Sequence, residues 1–135
     1  MKTVLITGAS KGIGAEIART LAKEGYNVAI NFNKSESAAV ALKNELEKYT
    51  SVMLVKADVS KYDEVASMVS AVRNKFGSIT HLVCNAGISV TGLLEDMDLC
   101  QCDSVIDTNL KGVVYTVKEV IPDMVKRKSG VIVNV

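Results

Sequence analysis

The stretch Thr3-Val4-Leu5-Ile6-Thr7-Gly8-Ala9-Ser10-Lys11-Gly12-Ile13-Gly14 decides the fold class. A short apolar run, Val4 to Ile6, breaks into the glycines at 8, 12 and 14, and Ile13, Ile17, Ala18, Leu21 and Ala22 then recur at helical spacing. Strand, tight glycine turn and helix, in that order, open a parallel α/β sheet. Gly8 lets the strand turn sharply, Gly12 has no Cβ to block a pyrophosphate, and Gly14 lets the helix lie close to the strand. The unpaired N–H groups and positive dipole end of the helix then face the phosphates. A dinucleotide is the expected guest, held along Gly8, Ser10, Lys11, Gly12, Ile13 and Gly14.

Outward from this stretch, four more apolar runs alternate with helical patterns. Asn27 to Asn31 reads as a second strand, and residues 35 to 49 as a helix with Ala39, Leu42, Leu46 and Tyr49 on one face. Ser51 to Ala57 is a third strand, followed by a helix capped near Ser60 and carrying Val65, Met68, Val69, Val72 and Phe76 up to Gly77. Ile79 to Cys84 is a fourth strand. Past Gly92 the pattern is helical for nearly thirty residues, with a kink expected at Pro122 and a stop at Ser129-Gly130. Val131 to Val135 is the fifth strand. Strands apolar on both faces, alternating with amphipathic helices, predict a doubly wound parallel sheet, a Rossmann fold, in the order 3-2-1-4-5.

Composition narrows the function classes. The 135 residues are 48% hydrophobic and 23% charged, as expected of one soluble domain. No apolar run approaches the ~20 residues of a membrane span, and no signal peptide precedes the first strand. A net charge of +1 with no basic block argues against nucleic acid as a partner. Cys84, Cys100 and Cys102 form no C-x-x-C pair, and one His completes no four-ligand set, so no metal is expected. The cysteines are read as reduced, in a cytoplasmic protein. Cys100 and Cys102 are taken as ordinary helix residues, and His81 as structural.

The form T-G-x-x-x-G-x-G, with three residues between its first two glycines where G-x-G-x-x-G has one, resembles the short-chain dehydrogenase/reductase family. Within it, Thr7 to Gly14 looks most like the 3-oxoacyl-acyl-carrier-protein reductases. Where NAD-binding sheets place an acid after the second strand, this chain has Asn31-Phe32-Asn33-Lys34-Ser35. Asn33, Lys34 and Ser35 would meet a 2′-phosphate with donors and a cation, and the resemblance implies that Lys11 reaches the same phosphate. NADP(H) is therefore the expected cofactor; the plainer alternative makes Lys11 and Lys34 solvated surface residues.

The resemblance also implies that Asp58 accepts a hydrogen bond from the adenine amino group and that Val59 flanks the ring. The alternative for Asp58 is an acid that ends a strand and starts a turn. Asn85-Ala86-Gly87 is similar to the family's N-N-A-G, with Cys84 in place of its first Asn; Asn85 would bond between strands, Gly87 leave room for the ribose, and Ile88 lie beside the nicotinamide. Asn109, with Gly112, matches N-x-x-G, whose Asn the family uses to kink a helix and hold a water in the catalytic proton relay. A plain Asn there would be exposed or bonded locally.

The family's chemistry also needs a Ser after the fifth strand and a Tyr with a Lys four residues on. Tyr26, Tyr49, Tyr62 and Tyr115 are followed at that spacing by Ile30, Met53, Ala66 and Glu119. The chain is thus expected to correspond to the first half or so of a family member, a fold incomplete at its C-terminus. The leading expectation is the cofactor-binding part of an NADPH-dependent reductase acting on a small-molecule or acyl-carrier-linked carbonyl, with residues 1–135 alone expected to be inactive. An apolar fifth strand at a sheet edge also suggests association of copies, a homo-oligomer. The alternatives are a non-catalytic nucleotide-binding or interaction module, and S-adenosylmethionine on the same sheet.

Overall fold

The computed structural model describes residues 1–135. The elements run β1 (Thr3–Ile6), α1 (Gly12–Lys23), β2 (Asn27–Phe32), α2 (Glu36–Leu46), β3 (Val52–Lys56), α3 (Tyr62–Phe76) and β4 (His81–Cys84). A 3-10 turn (Leu94–Asp96), α4 (Leu99–Ile106), a π-turn (Asp107–Lys111), α5 (Gly112–Arg127) and β5 (Val131–Asn134) complete the chain. The five strands are all parallel and ordered 3-2-1-4-5, as the sequence predicts.

Strand periodicity divides the core into two layers. Val4, Ile6, Val28 and Ile30 face α1 and α2, packing on Ala15, Ala18, Ala22, Leu42 and Leu46. Leu5, Ala29 and Leu82 point the other way, onto Val65, Met68, Val69 and Val72 of α3 and Val120 and Met124 of α5. Small residues on α1 bring that helix close to β1 and β2. All six residues of β2 are buried because both faces are covered, whereas Val131 and Val133 of β5 are each 46% exposed. The apolar edge expected from the sequence is there.

Several helix boundaries differ from expectation. The thirty-residue helix past Gly92 is divided: Asp98 starts α4 in a reciprocal capping box with Gln101, and the π-turn separates α4 from α5. Helix α5 continues through Pro122, and its stop is Lys128, at φ 53°, ahead of Ser129-Gly130. Ser60 does not cap α3, because its N–H and hydroxyl both bond the Asp58 carboxylate; Lys61 occupies the cap position. His81 is structural as read: its ring meets Tyr26 edge-on at 5.0 Å, and Nδ1 lies 2.8 Å from Thr80 Oγ1. Burial, then the charges of Lys2 and Arg127, hold its pKa below the usual imidazole value.

Helix α5, which carries the π-turn at its start, is fixed to α3 by polar contacts. Arg73 Nε meets Asp123 Oδ2 at 2.6 Å, its Nη2 donates to the Glu119 carbonyl, and the Tyr62 hydroxyl donates to the Glu119 carboxylate. The thiols differ sharply in setting. Cys84 is buried in β4, where desolvation pushes its pKa up to about 11, while Cys100 is exposed on α4. Thiolate is the reactive form, so at about pH 8 a disulfide reagent should label Cys100 in the folded chain and Cys84 only on unfolding. Labelling of Cys84 at the rate of Cys100 would contradict this packing.

Candidate nucleotide site

The carboxyl ends of β1 and β4 are adjacent although their connections leave in opposite directions, the place where open α/β sheets form a crevice. The glycine loop is fastened there from both sides. Thr7 Oγ1 accepts the N–H groups of Asn85 and Ala86, each at 3.0 Å, and Asn85 Nδ2 donates to the Thr7 and Gly8 carbonyls at 3.1 and 3.0 Å. Asn85 thus bonds between strand ends, as the sequence reading has it. Gly8 stands at φ +60°, and a Cβ on it would lie 2.8 Å from Ala86 Cα, so both conformation and space require glycine.

A cleft of about 630 Å³ opens over these ends. Gly8, Ser10 and Lys11 form one wall, and Asn33, Lys34 and Ser35 the rim after β2. Asp58 and Val59 follow β3, and Asn85, Ala86, Gly87 and Ile88 follow β4. Twelve of the predicted residues therefore meet in one cleft. Gly12 and Ile13 border a different, larger cleft of about 1100 Å³, between α1 and the open faces of β4 and β5. That second cleft is floored by Leu82, Val83, Val131 and Val133 and is a mostly apolar sheet face beside α1. The 630 Å³ cleft carries the polar groups.

Between the bonded amides of Ala9 and Ala15, the N–H groups of Ser10 through Gly14 meet no acceptor within the chain. They head α1. A Cβ on Gly12 would meet nothing within 4 Å, which leaves open space for an approaching group, while Gly12 itself stands at φ +59°. Gly14 has the opposite character, with Asn85 Nδ2 2.6 Å from a would-be Cβ and Ala9 Cα and the Gly8 carbonyl oxygen each at 2.9 Å. The tight packing is thus of helix on loop.

Around this row the chemistry is consistent with a phosphorylated nucleotide. Lys11 and Lys34 supply cations and no carboxylate stands from Asn31 to Ser35. The Asp58 carboxylate is aimed by Ser60, whose N–H and hydroxyl reach its Oδ1 at 3.0 and 2.7 Å; Glu64 accepts the Asp58 N–H at 2.7 Å. On the facing side, the π-turn carries Asn109. Its Oδ1 accepts the Ile88 N–H and its Nδ2 donates to the Ile88 carbonyl, both at 2.8 Å, so one carboxamide clamps the backbone of one residue from both sides. The expected distortion of the helix at Asn109 is this π-turn. At Gly87, a Cβ would come into ordinary contact with Asn109 Oδ1 at 3.4 Å, so this glycine faces Asn109.

A family model described as short chain dehydrogenase matches residues 2–135. The chain belongs to this family. Short-chain dehydrogenases similar to it include the 3-oxoacyl-acyl-carrier-protein reductases FabG of Staphylococcus epidermidis and Staphylococcus aureus, 46% and 45% identical over 134 residues. Those matches cover 98% of this chain and 55% and 54% of the two relatives. An NADPH-dependent pterin aldehyde reductase of Arabidopsis thaliana is 40% identical, over 98% of this chain and 55% of its own length. The chain spans about half the length of the curated relatives it matches. The family is one of oxidoreductases.

Sequence reasoning missed Ser104, Asp107 and Thr108, which line the same cleft from the end of α4 and the π-turn. Ser104 lies three and four positions before Asp107 and Thr108, which puts the three on one helical face, and that was the available signal. Asp107 is already paired with Lys111 at 2.8 Å. No helix of the chain is long and apolar enough to cross a membrane.

Proposed function

We propose that residues 1–135 are the cofactor-holding part of an NADPH-dependent carbonyl reductase. The supporting observation is the row of acceptor-free N–H groups from Ser10 to Gly14, flanked by Lys11 and Lys34. The row and the start of α1 hold the pyrophosphate. Lys11, Asn33, Lys34 and Ser35 hold the 2′-phosphate, Asp58 accepts from the adenine amino group, and Val59 covers the ring. Asn85, Ala86 and Gly87 border the ribose. Ile88, clamped by Asn109, sets the wall beside the nicotinamide. When bound, the nicotinamide supplies a hydride to the carbonyl carbon.

The reductases named above point to a 3-oxoacyl thioester as the substrate of the whole protein, reduced to the hydroxy form in fatty-acid synthesis in the cytoplasm, by a homo-oligomer. Within these 135 residues no Tyr has a Lys four positions on, so this part holds the cofactor without donating the substrate's proton. By itself it binds NADPH and does not turn over.

Titration of the chain with NADPH, followed by nicotinamide fluorescence, tests the reading. Hydrogen bonds to charged groups contribute about 1.5–3 kcal/mol when protected from water, and solvent screening at these exposed lysines lowers that. Lys11→Ala and Lys34→Ala should each weaken NADPH about tenfold, the loss shrinking as salt rises, with NADH changed less than about twofold. Equal losses for the two dinucleotides would remove the 2′-phosphate assignment.

A further inference from the structure

Asn31 stands between Ile30 and Phe32 near the end of β2, a polar residue only 1% exposed. Its Oδ1 accepts the Gly8 N–H at 3.1 Å, and its Nδ2 donates to the Ala57 and Val55 carbonyls at 3.1 and 3.3 Å. The main-chain oxygen of the same residue accepts the Ala9 N–H at 2.8 Å. One residue of β2 therefore holds the first two amides of the glycine loop while anchored on the end of β3. The loop's acceptor-free N–H groups begin at the next residue, Ser10.

We propose that Asn31 is a positioning residue of the glycine loop, whose neutral carboxamide fixes the Gly8 peptide and so aims the N–H groups of Ser10 to Gly14 into the cleft. The chemistry demands an amide. One oxygen must accept from Gly8 while two hydrogens are given to carbonyls, and an amide of this size supplies both. A carboxylate would turn a desolvated charge toward the Val55 and Ala57 oxygens, whose repulsion drives the group from the position in which it accepts the Gly8 N–H. A leucine of similar bulk would leave Gly8 N–H without its partner. The hold on Gly8 stands on geometry alone; its consequence for the nucleotide rests on the reading proposed above.

The two parts are separable by experiment on the 15N-labelled chain. In Asn31→Ala the Gly8 amide should exchange with solvent about tenfold faster or more, relative to wild type, with β1 amides protected as before. NADPH dissociation constants should rise about tenfold. Asn31→Asp supplies a pH readout, taken at Gly8 relative to the β1 amides, which a role in global stability alone would move together. Burial against two carbonyl oxygens raises the pKa of the new carboxyl group, so it is charged and disruptive at high pH. As the pH falls through that raised value, the protonated group can donate to the Ala57 carbonyl, and Gly8 protection relative to wild type should return.

Unchanged Gly8 exchange in a folded Asn31→Ala chain would overturn the proposal, as would an Asn31→Asp defect indifferent to pH. Should Asn31→Ala fail to fold, Asn31→Asp compared with itself across pH still decides. A wild-type chain that ignores NADPH while Gly8 is freed by Asn31→Ala would support the hold on the loop and overturn the nucleotide reading.

Discussion

Gly14→Ala should lower the stability of the chain by about 3 kcal/mol and abolish detectable NADPH binding. The added Cβ would stand 2.6 Å from Asn85 Nδ2, 2.9 Å from Ala9 Cα and 2.9 Å from the Gly8 carbonyl oxygen. Two of these are backbone atoms. The third belongs to a side chain already committed to the Thr7 and Gly8 carbonyls, so it cannot withdraw without leaving them unpartnered. The only relief is for α1 to move off the loop, which carries the free amide row with it. Ala is the better helix former by about 1 kcal/mol, too little to offset a backbone collision.

Gly12→Ala is the control for that prediction. Its Cβ would meet nothing, and only its left-handed conformation, at φ +59°, is penalised, at about 1–2 kcal/mol. For a chain of this size about 3 kcal/mol is roughly a 10 °C drop in melting temperature. Thermal unfolding that shows Gly14→Ala no worse than Gly12→Ala would refute the steric account.

These contrasts show which parts of the site were legible in sequence. The strand order and the glycine loop were, because apolar runs of β1 to β4 and helical spacing in α1 are local signals that tertiary packing then reinforces. The region from Leu93 to Lys128 was read less well. Its apolar periodicity runs on from Leu99 through Val125, and the single added residue of a π-turn shifts that pattern without interrupting it. The break before α4 did have a local sign, Asp98 with Gln101 three residues later. Ser60 misled for the opposite reason: a good capping residue was taken by the neighbouring Asp58 carboxylate. Asn31 was legible only as the end of a strand, since its partners lie 23 to 26 positions away.

The second large effect joins two walls of the cleft. Gly112, buried at the start of α5, would place a Cβ 2.7 Å from Val59 Cγ2, 3.2 Å from Val59 Cβ and 3.4 Å from the Val59 carbonyl oxygen. Val59 is 5% exposed and follows the Asp58 turn, so it has little room to yield. Overpacking of this kind costs about 1–3 kcal/mol, against a gain in helix propensity of up to about 1 kcal/mol for Ala over Gly. Overpacking wins, and Gly112→Ala should destabilise by about 1–2 kcal/mol while weakening NADPH binding through the displaced Val59. Removing the obstacle should reverse the sign. In a Val59→Ala background the same substitution no longer meets Cγ2, and it should become neutral or stabilising by about 0.5–1 kcal/mol. Urea unfolding of the four chains measures this coupling, and additive effects would show that the adenine wall and the π-turn that carries Asn109 do not press on each other through this contact.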